Sequence, residues 1–133
     1  MAIQATHYHI AIKGAFTCNN TIYPGAVSLT LLLAVILLIQ HIELFDYDFF
    51  YPDVKLSEVV SGKNGKFYIE GDRYEFAPMI PYFQVSETCR GSPACWKFWV
   101  PQDYQWTDGY PRKIYHVGSI NLTDPSGESS DKS

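Results

Sequence analysis

The sequence predicts an all-β fold, an antiparallel β-sandwich of about seven strands. Three observations carry that expectation. Among 133 residues, ten Tyr, eight Phe and three Trp supply the side chains that suit a pleated, half-buried surface. Several segments alternate apolar and polar residues with period two, the spacing that turns one face of a strand to a core. Turn chemistry separates those segments at short intervals, and no convincing amphipathic helix interrupts them. The length supports one hydrophobic core and falls short of two ordinary domains.

Residues 1–7 read as a flexible N-terminus, and "MAIQATHYH" has neither a basic nor an apolar region, so the sequence opens without a recognisable signal peptide. From Tyr8 the even positions, Tyr8, Ile10, Ile12, Gly14, Phe16 and Cys18, oppose His9, Ala11, Lys13, Ala15 and Thr17, which is a half-buried strand. Asn19-Asn20 and Pro24-Gly25 then supply turns. "HIELFD" alternates again, with Ile42 and Leu44 on one face, and "YDFFYPD" is an aromatic loop closed by Pro52. Leu56 to Ser61 is a short strand. Asn64-Gly65 tolerates positive φ and predicts a hairpin into "KFYIEG", whose Phe67 and Ile69 share a face. "PYFQVSETC" and "CWKFWVP" are strands joined by a short loop; in the second, Trp96, Phe98 and Val100 oppose Lys97 and Trp99. "RKIYHVGSINL" is the last strand, and 123–133, "TDPSGESSDKS", has nothing to bury and is expected as a disordered tail.

Charge and cysteine usage narrow the function. A net charge of -4, with Arg112-Lys113 as the longest basic cluster, leaves no footprint for nucleic acid. Cys18, Cys89 and Cys95 form neither a CxxC pair nor a paired zinc-ligand motif. Cys89 and Cys95 bracket "CRGSPAC", whose Gly91, Ser92 and Pro93 turn the chain back, and are expected to form a local disulfide in an oxidising compartment. Asn19 and Asn121 head N-x-Thr sequons and are candidate glycosylation sites.

Six pieces in order, "IKGAFTC", "IELFDYD", "GKFYIEG", "PYFQVSETC", "ACWKFWVPQDY" and "KIYHVGSINL", closely resemble the nematode transthyretin-like family from about Ile12 to Leu122. The resemblance implies a secreted transthyretin-like (prealbumin-like) β-sandwich over 8–122. It also implies an extracellular partner, a protein or a lipid; the family's best understood role is to bridge phosphatidylserine and a phagocyte receptor. Three departures stand out. No signal peptide opens the sequence, the tail lacks the further cysteine expected in many members, and Glu87 stands where the family tends to place His near the first loop cysteine.

In the family pattern "PGA" passes almost directly into "HIELFD", so Val27 to Gln40, "VSLTLLLAVILLIQ", is surplus. It is too short to span a bilayer, which takes about 20 apolar residues. A helix apolar all round would need burial on every side, and a strand of this length would exceed the usual range. Its ends, Val-Ser and Ile-Gln, are what GTAAGT and ATTCAG encode, the two ends of an intron. A translated intron accounts for an aberrant apolar insertion over 27–40 better than any structural element does.

Candidate chemistry is sparse. No catalytic motif appears, neither GxSxG nor HExxH nor a phosphate loop. A 5-hydroxyisourate hydrolase, another transthyretin-like fold, would end in Tyr-Arg-Gly-Ser, whereas this chain reads "GSINL" in its last strand. His7 and His9 share one side of a strand, as a metal site would begin, but His41 and His116 lie in no ligand-spaced motif, so an exposed pair, with no metal and no cofactor, is expected. Asp46, Asp48 and Asp53 surround the aromatic loop without EF-hand spacing. Phe49, Phe50, Tyr51, Trp99 and Trp106 are the candidate binding surface. The expected function is non-catalytic binding of a lipid or hydrophobic ligand, or of a cell-surface partner, in the extracellular space. The alternatives are an isourate-type hydrolase and a purely structural secreted protein.

Overall fold

The computed structural model describes residues 4–18, 40–62, 64–125 and 127–129. Among the described residues nine strands form two packed sheets: β1 Thr6–Thr17, β2 His41–Asp46, β3 Val54–Val60, β4 Lys66–Glu75, β5 Pro81–Glu87, β6 Ala94–Trp99, β7 Trp106–Thr107, β8 Ile114–Asn121 and β9 Glu128–Ser129. One sheet has β1 at its centre, with β4 on one edge and β7 and β8 sharing the other. The second runs β3-β2-β5-β6-β9. Seven strands are longer than two residues, so the all-β sandwich expected from the sequence is the observed fold.

The period-two alternation of β1 sets the core. Ile10, Ile12 and Phe16 turn inward and are buried, while Lys13 and Thr17 on the other face are exposed. Opposite them, β2 and β5 contribute Ile42, Leu44, Phe83 and Val85. Rings bridge the sheets: Phe16 stacks on Phe67 (4.7 Å), Phe67 tilts against Phe83 (5.8 Å), and Phe83 stacks on Phe98 (5.0 Å). Each such residue fully removed from water contributes about 1.5–3 kcal/mol.

The structure corrects four expectations. The Asn64-Gly65 turn makes no hairpin, because β3 pairs with β2 while β4 pairs with β1 (Gly14↔Phe67, Ile12↔Ile69). The turn is a corner at which the chain changes sheets, closed by Gly62 N–H to Lys66 O and Gly65 N–H to Gly62 O, both 2.9 Å. The sandwich is not wholly antiparallel: β8 runs parallel to β1, with a bulge between Lys13 and Gly14. At the two ends, β1 begins at Thr6, inside the stretch read as flexible, and Glu128–Ser129 of the expected tail pairs with β6.

The fourth correction concerns the cysteines. Cys89 pairs with Cys18, Cα–Cα 5.8 Å, and Cys95 stays a buried thiol, so the local Cys89–Cys95 bridge is not formed. Strand parity is the reason. Cys95 pairs in register with Ser86 on the outer face of its sheet, where Gln84 Nε2 donates to its sulfur at 3.1 Å. Cys89 lies past the end of β5 and turns into the core. The sulfurs therefore sit on opposite faces of one sheet.

Of the apolar run, Val27 to Ile39 lies outside the described residues, as does Asn19. Gln40 is described and belongs to the domain: buried, it donates its N–H to Ser61 Oγ (3.1 Å), and Ser61 Oγ donates to Gln40 Oε1 (2.6 Å).

Candidate functional site

The loop between β2 and β3 projects three rings, with Phe49 75 %, Phe50 89 % and Tyr51 74 % exposed. Its backbone is braced from inside. Asp48 Oδ1 accepts from the N–H of Phe50 (2.8 Å) and of Tyr51 (3.1 Å), and Asp48 N–H donates to Asp53 Oδ1 (3.1 Å). The Tyr82 hydroxyl donates to Asp53 Oδ2. Burial, and then that bond, push the Tyr82 phenol well above its ordinary value. Beneath the loop, buried Asp46 accepts from Arg73 Nη1 (2.9 Å) and Ile80 N–H (2.9 Å), tying β2 to β4 of the other sheet. The three carboxylates thus hold protein donors, and the rings are presented on a fixed frame.

Trp99, 42 % exposed, joins this patch. Tyr47 packs edge-on against both Phe49 (5.1 Å) and Trp99 (5.8 Å), and the Lys97 ammonium lies 4.5 Å over Tyr82 and 5.2 Å over Trp99. Trp106 does not join it. It stacks on His9 (5.3 Å) on the outer face of the β1 sheet, with the Arg112 guanidinium 5.9 Å above its ring. Four of the five candidate surface residues therefore lie at one end of the sandwich, and the fifth marks a different surface.

That second surface has two parts. At its far end Lys13, Lys66, Tyr68 and His116 line a shallow groove of about 540 Å³ floored by Gly14 and Gly118. Arg112 separates it from the near end, bonded to Glu70 (2.9 Å) and to the Tyr68 hydroxyl. At the near end His7 and His9, expected as an exposed pair, are half-buried. His7 stacks on Tyr74 at 4.2 Å, and the two imidazoles lie 4.2 Å apart. His7 meets Asp72 Oδ2 at Nε2 (2.6 Å) and Asp108 Oδ2 at Nδ1 (3.0 Å), while His9 Nε2 meets Asp108 Oδ1 at 2.7 Å. Only an imidazolium donates from both nitrogens, so the Asp72 bond, then the Asp108 bond, hold His7 above its ordinary pKa. In turn His9, then His7, hold the Asp108 carboxyl below its usual range. Asp72 and Asp108 escape a reading of the sequence because they lie 65 and 101 positions from His7 and meet it only through β4 and the turn after β7.

Two further residues acquire roles. Glu87, buried at the end of β5, accepts from Cys89 N–H (2.5 Å) and from Trp96 Nε1–H (2.8 Å), which turns the cysteine inward. Asn121 ends β8 half-buried, and its Oδ1 accepts from Thr123 N–H (3.0 Å).

Comparison with known proteins bears on the stretch containing β2 to β6, where residues 37–101 match the model of the transthyretin-like family. Residues 37–101 are transthyretin-like in sequence. The family that the ordered motifs resemble is the one matched, and the aromatic loop and the disulfide-bonded Cys89 both fall inside the transthyretin-like stretch. No curated protein matches the chain. Among solved structures it is similar to a 9R-lipoxygenase from Cyanothece PCC8801, 17% identical with a TM-score of 0.42, over 93% of this chain and 19% of that one. The chain thus spans about a fifth of that enzyme, and a likeness of this degree carries no argument about function.

Proposed function

We propose that this transthyretin-like protein acts by binding, without catalysis, in the extracellular space, and that it docks on a lipid surface through the tip of the β2–β3 loop. The observation that supports this reading is the run Phe49, Phe50 and Tyr51, almost fully exposed on a braced loop. Neighbouring apolar rings held in water mark a surface that is covered in use. Each ring moved into an apolar layer gains about 2 kcal/mol. Because Asp48 and Asp53 already fix the loop, little ordering entropy opposes insertion. Phosphatidylserine is the headgroup that the family resemblance offers, and the Cys18–Cys89 bridge is compatible with an oxidising, extracellular setting.

Co-sedimentation with phosphatidylcholine vesicles, with and without phosphatidylserine, tests it. The wild-type chain is expected to sediment with the phosphatidylserine vesicles, and Phe49→Ala/Phe50→Ala to lose at least about tenfold in affinity, two buried rings being worth several kcal/mol. Wild-type protein that stays in the supernatant with both vesicle types would overturn the lipid reading and point to a cell-surface protein. The groove of Lys13, Lys66 and His116 favours one rival, a hydrolase acting on a small anionic ring of the 5-hydroxyisourate kind. Turnover of 5-hydroxyisourate, abolished by His116→Ala, would overturn the non-catalytic part.

A further inference from the structure

Beyond lipid docking, we infer that His7, His9 and Asp108 form a zinc-binding site, with Asp72 as the carboxylate that orients His7. The ligand atoms come from β1 and from the turn after β7, and all lie within 4.8 Å of one another; a tetrahedral zinc ion holds its ligand atoms about 3.4 Å apart, so small side-chain rotations close the set around one ion. Two imidazoles and a carboxylate suit Zn²⁺, whereas Ca²⁺ and Mg²⁺ take sets made wholly of oxygen.

The surroundings supply what a metal site needs around its ligands. His7 Nε2 faces Asp72 at 2.6 Å. Donation of that N–H leaves Nδ1, on the side of His9 and Asp108, to carry the lone pair, which is the carboxylate–histidine–zinc arrangement. Tyr74 stacks on His7 and Trp106 on His9, fixing both ring planes before any ion arrives. Asp108 sits in a turn closed by Tyr110 N–H to Thr107 O at 3.1 Å, and its carboxylate is held toward the ring pair by His7 Nδ1 (3.0 Å) and His9 Nε2 (2.7 Å). The proton between His7 Nδ1 and Asp108 is released as the ion takes its place, and His9 offers the lone pair of Nε2. Three protein ligands leave a fourth tetrahedral position for water or a further donor.

Zinc titration of the tag-free chain by calorimetry tests the assignment, with calcium in a parallel arm. One Zn²⁺ per chain is expected, with no calcium signal. His9→Ala and Asp108→Ala are expected to weaken zinc binding at least tenfold. Asp72→Asn, acting only through His7, should cost about tenfold, at the lower end of the range for an orienting carboxylate. Asp108 is an exposed turn residue, so its variant keeps the fold, and an unchanged near-ultraviolet spectrum checks that. Absence of zinc binding, equal binding of calcium, or undiminished zinc affinity in a His7→Ala/His9→Ala chain that retains His41 and His116 would each overturn the site.

Discussion

At the level of single residues, Cys89 is the pivot, and Glu87 decides which way it faces. With its backbone N–H bonded to that buried carboxylate, Cys89 turns into the core and meets Cys18 across the two sheets. The bridge closes a loop with a sequence separation of 71, which restricts the unfolded chain by about 4 kcal/mol in the loop-entropy account. Cys89→Ser should lower the unfolding free energy by about that amount. Cys95→Ser, on the outer face beside Gln84 and Ser86, should change it by less than about 1 kcal/mol. Non-reducing peptide mapping supplies the second readout: the Cys18 and Cys89 peptides should travel together, and a Cys89–Cys95 peptide would refute the pairing. The spacing of "CRGSPAC" does not reveal this, because what parts the two sulfurs is the pairing of Cys95 with Ser86 on the outer face while Cys89 runs past β5 into the core.

Among the elements, the strands were legible wherever one face is buried, since period two then has a single solution. β1, β2, β4, β5, β6 and β8 all lie where alternation puts them, and the exposure of Phe49 to Tyr51 follows from an aromatic loop ended by Pro52. Partners were less legible. Asn64-Gly65 has the same local chemistry in a hairpin and in a corner, and what selects the corner is β1, about fifty positions earlier, whose Ile12 and Gly14 pair with Ile69 and Phe67. Trp106 was assigned to the binding surface with Trp99 for the same reason: nothing local says that it stacks on His9. Gly65 records the corner in its geometry. Its φ is 80°, and a Cβ there would come within 2.1 Å of Phe16 O, whereas Gly91, at φ 86°, has open space around it. Left-handed backbone alone costs an L-residue about 1–2 kcal/mol. Gly91→Ala should therefore lose about 1 kcal/mol in chemical denaturation, and Gly65→Ala at least about 3 kcal/mol because β1 must also move. Equal losses would mean that the corner does not press on β1.

On the scale of the whole molecule, the question is whether the sandwich needs the apolar run between β1 and β2. Cys18 lies 5.8 Å from Cys89 across the disulfide. Cys89 is three residues beyond Ser86, a reach of at most about 11 Å. Ser86 pairs with His41, a step of about 5 Å. The gap from Cys18 to His41 is then no more than about 22 Å. Residues 19–26 together with Gln40 can extend to about 30 Å, so the loop closes without residues 27–39. The intron reading takes in Gln40 as well, whose backbone and side chain hold Ser61 at the start of β2 and the end of β3; with 27–40 gone, Ala26 would precede His41 and could supply the backbone bonds but not the side-chain one. A chain lacking 27–39 should accordingly fold to the same two sheets and form Cys18–Cys89. Its thermal midpoint should stay within a few degrees of the full chain's, since shortening a loop changes closure entropy by well under about 1 kcal/mol. Removing 27–40 instead should cost more, through the lost bond between the Gln40 side chain and Ser61. Failure of the shorter deletion to give a cooperative transition would show that the apolar run belongs to the working domain, and would sink the reading of it as translated intron.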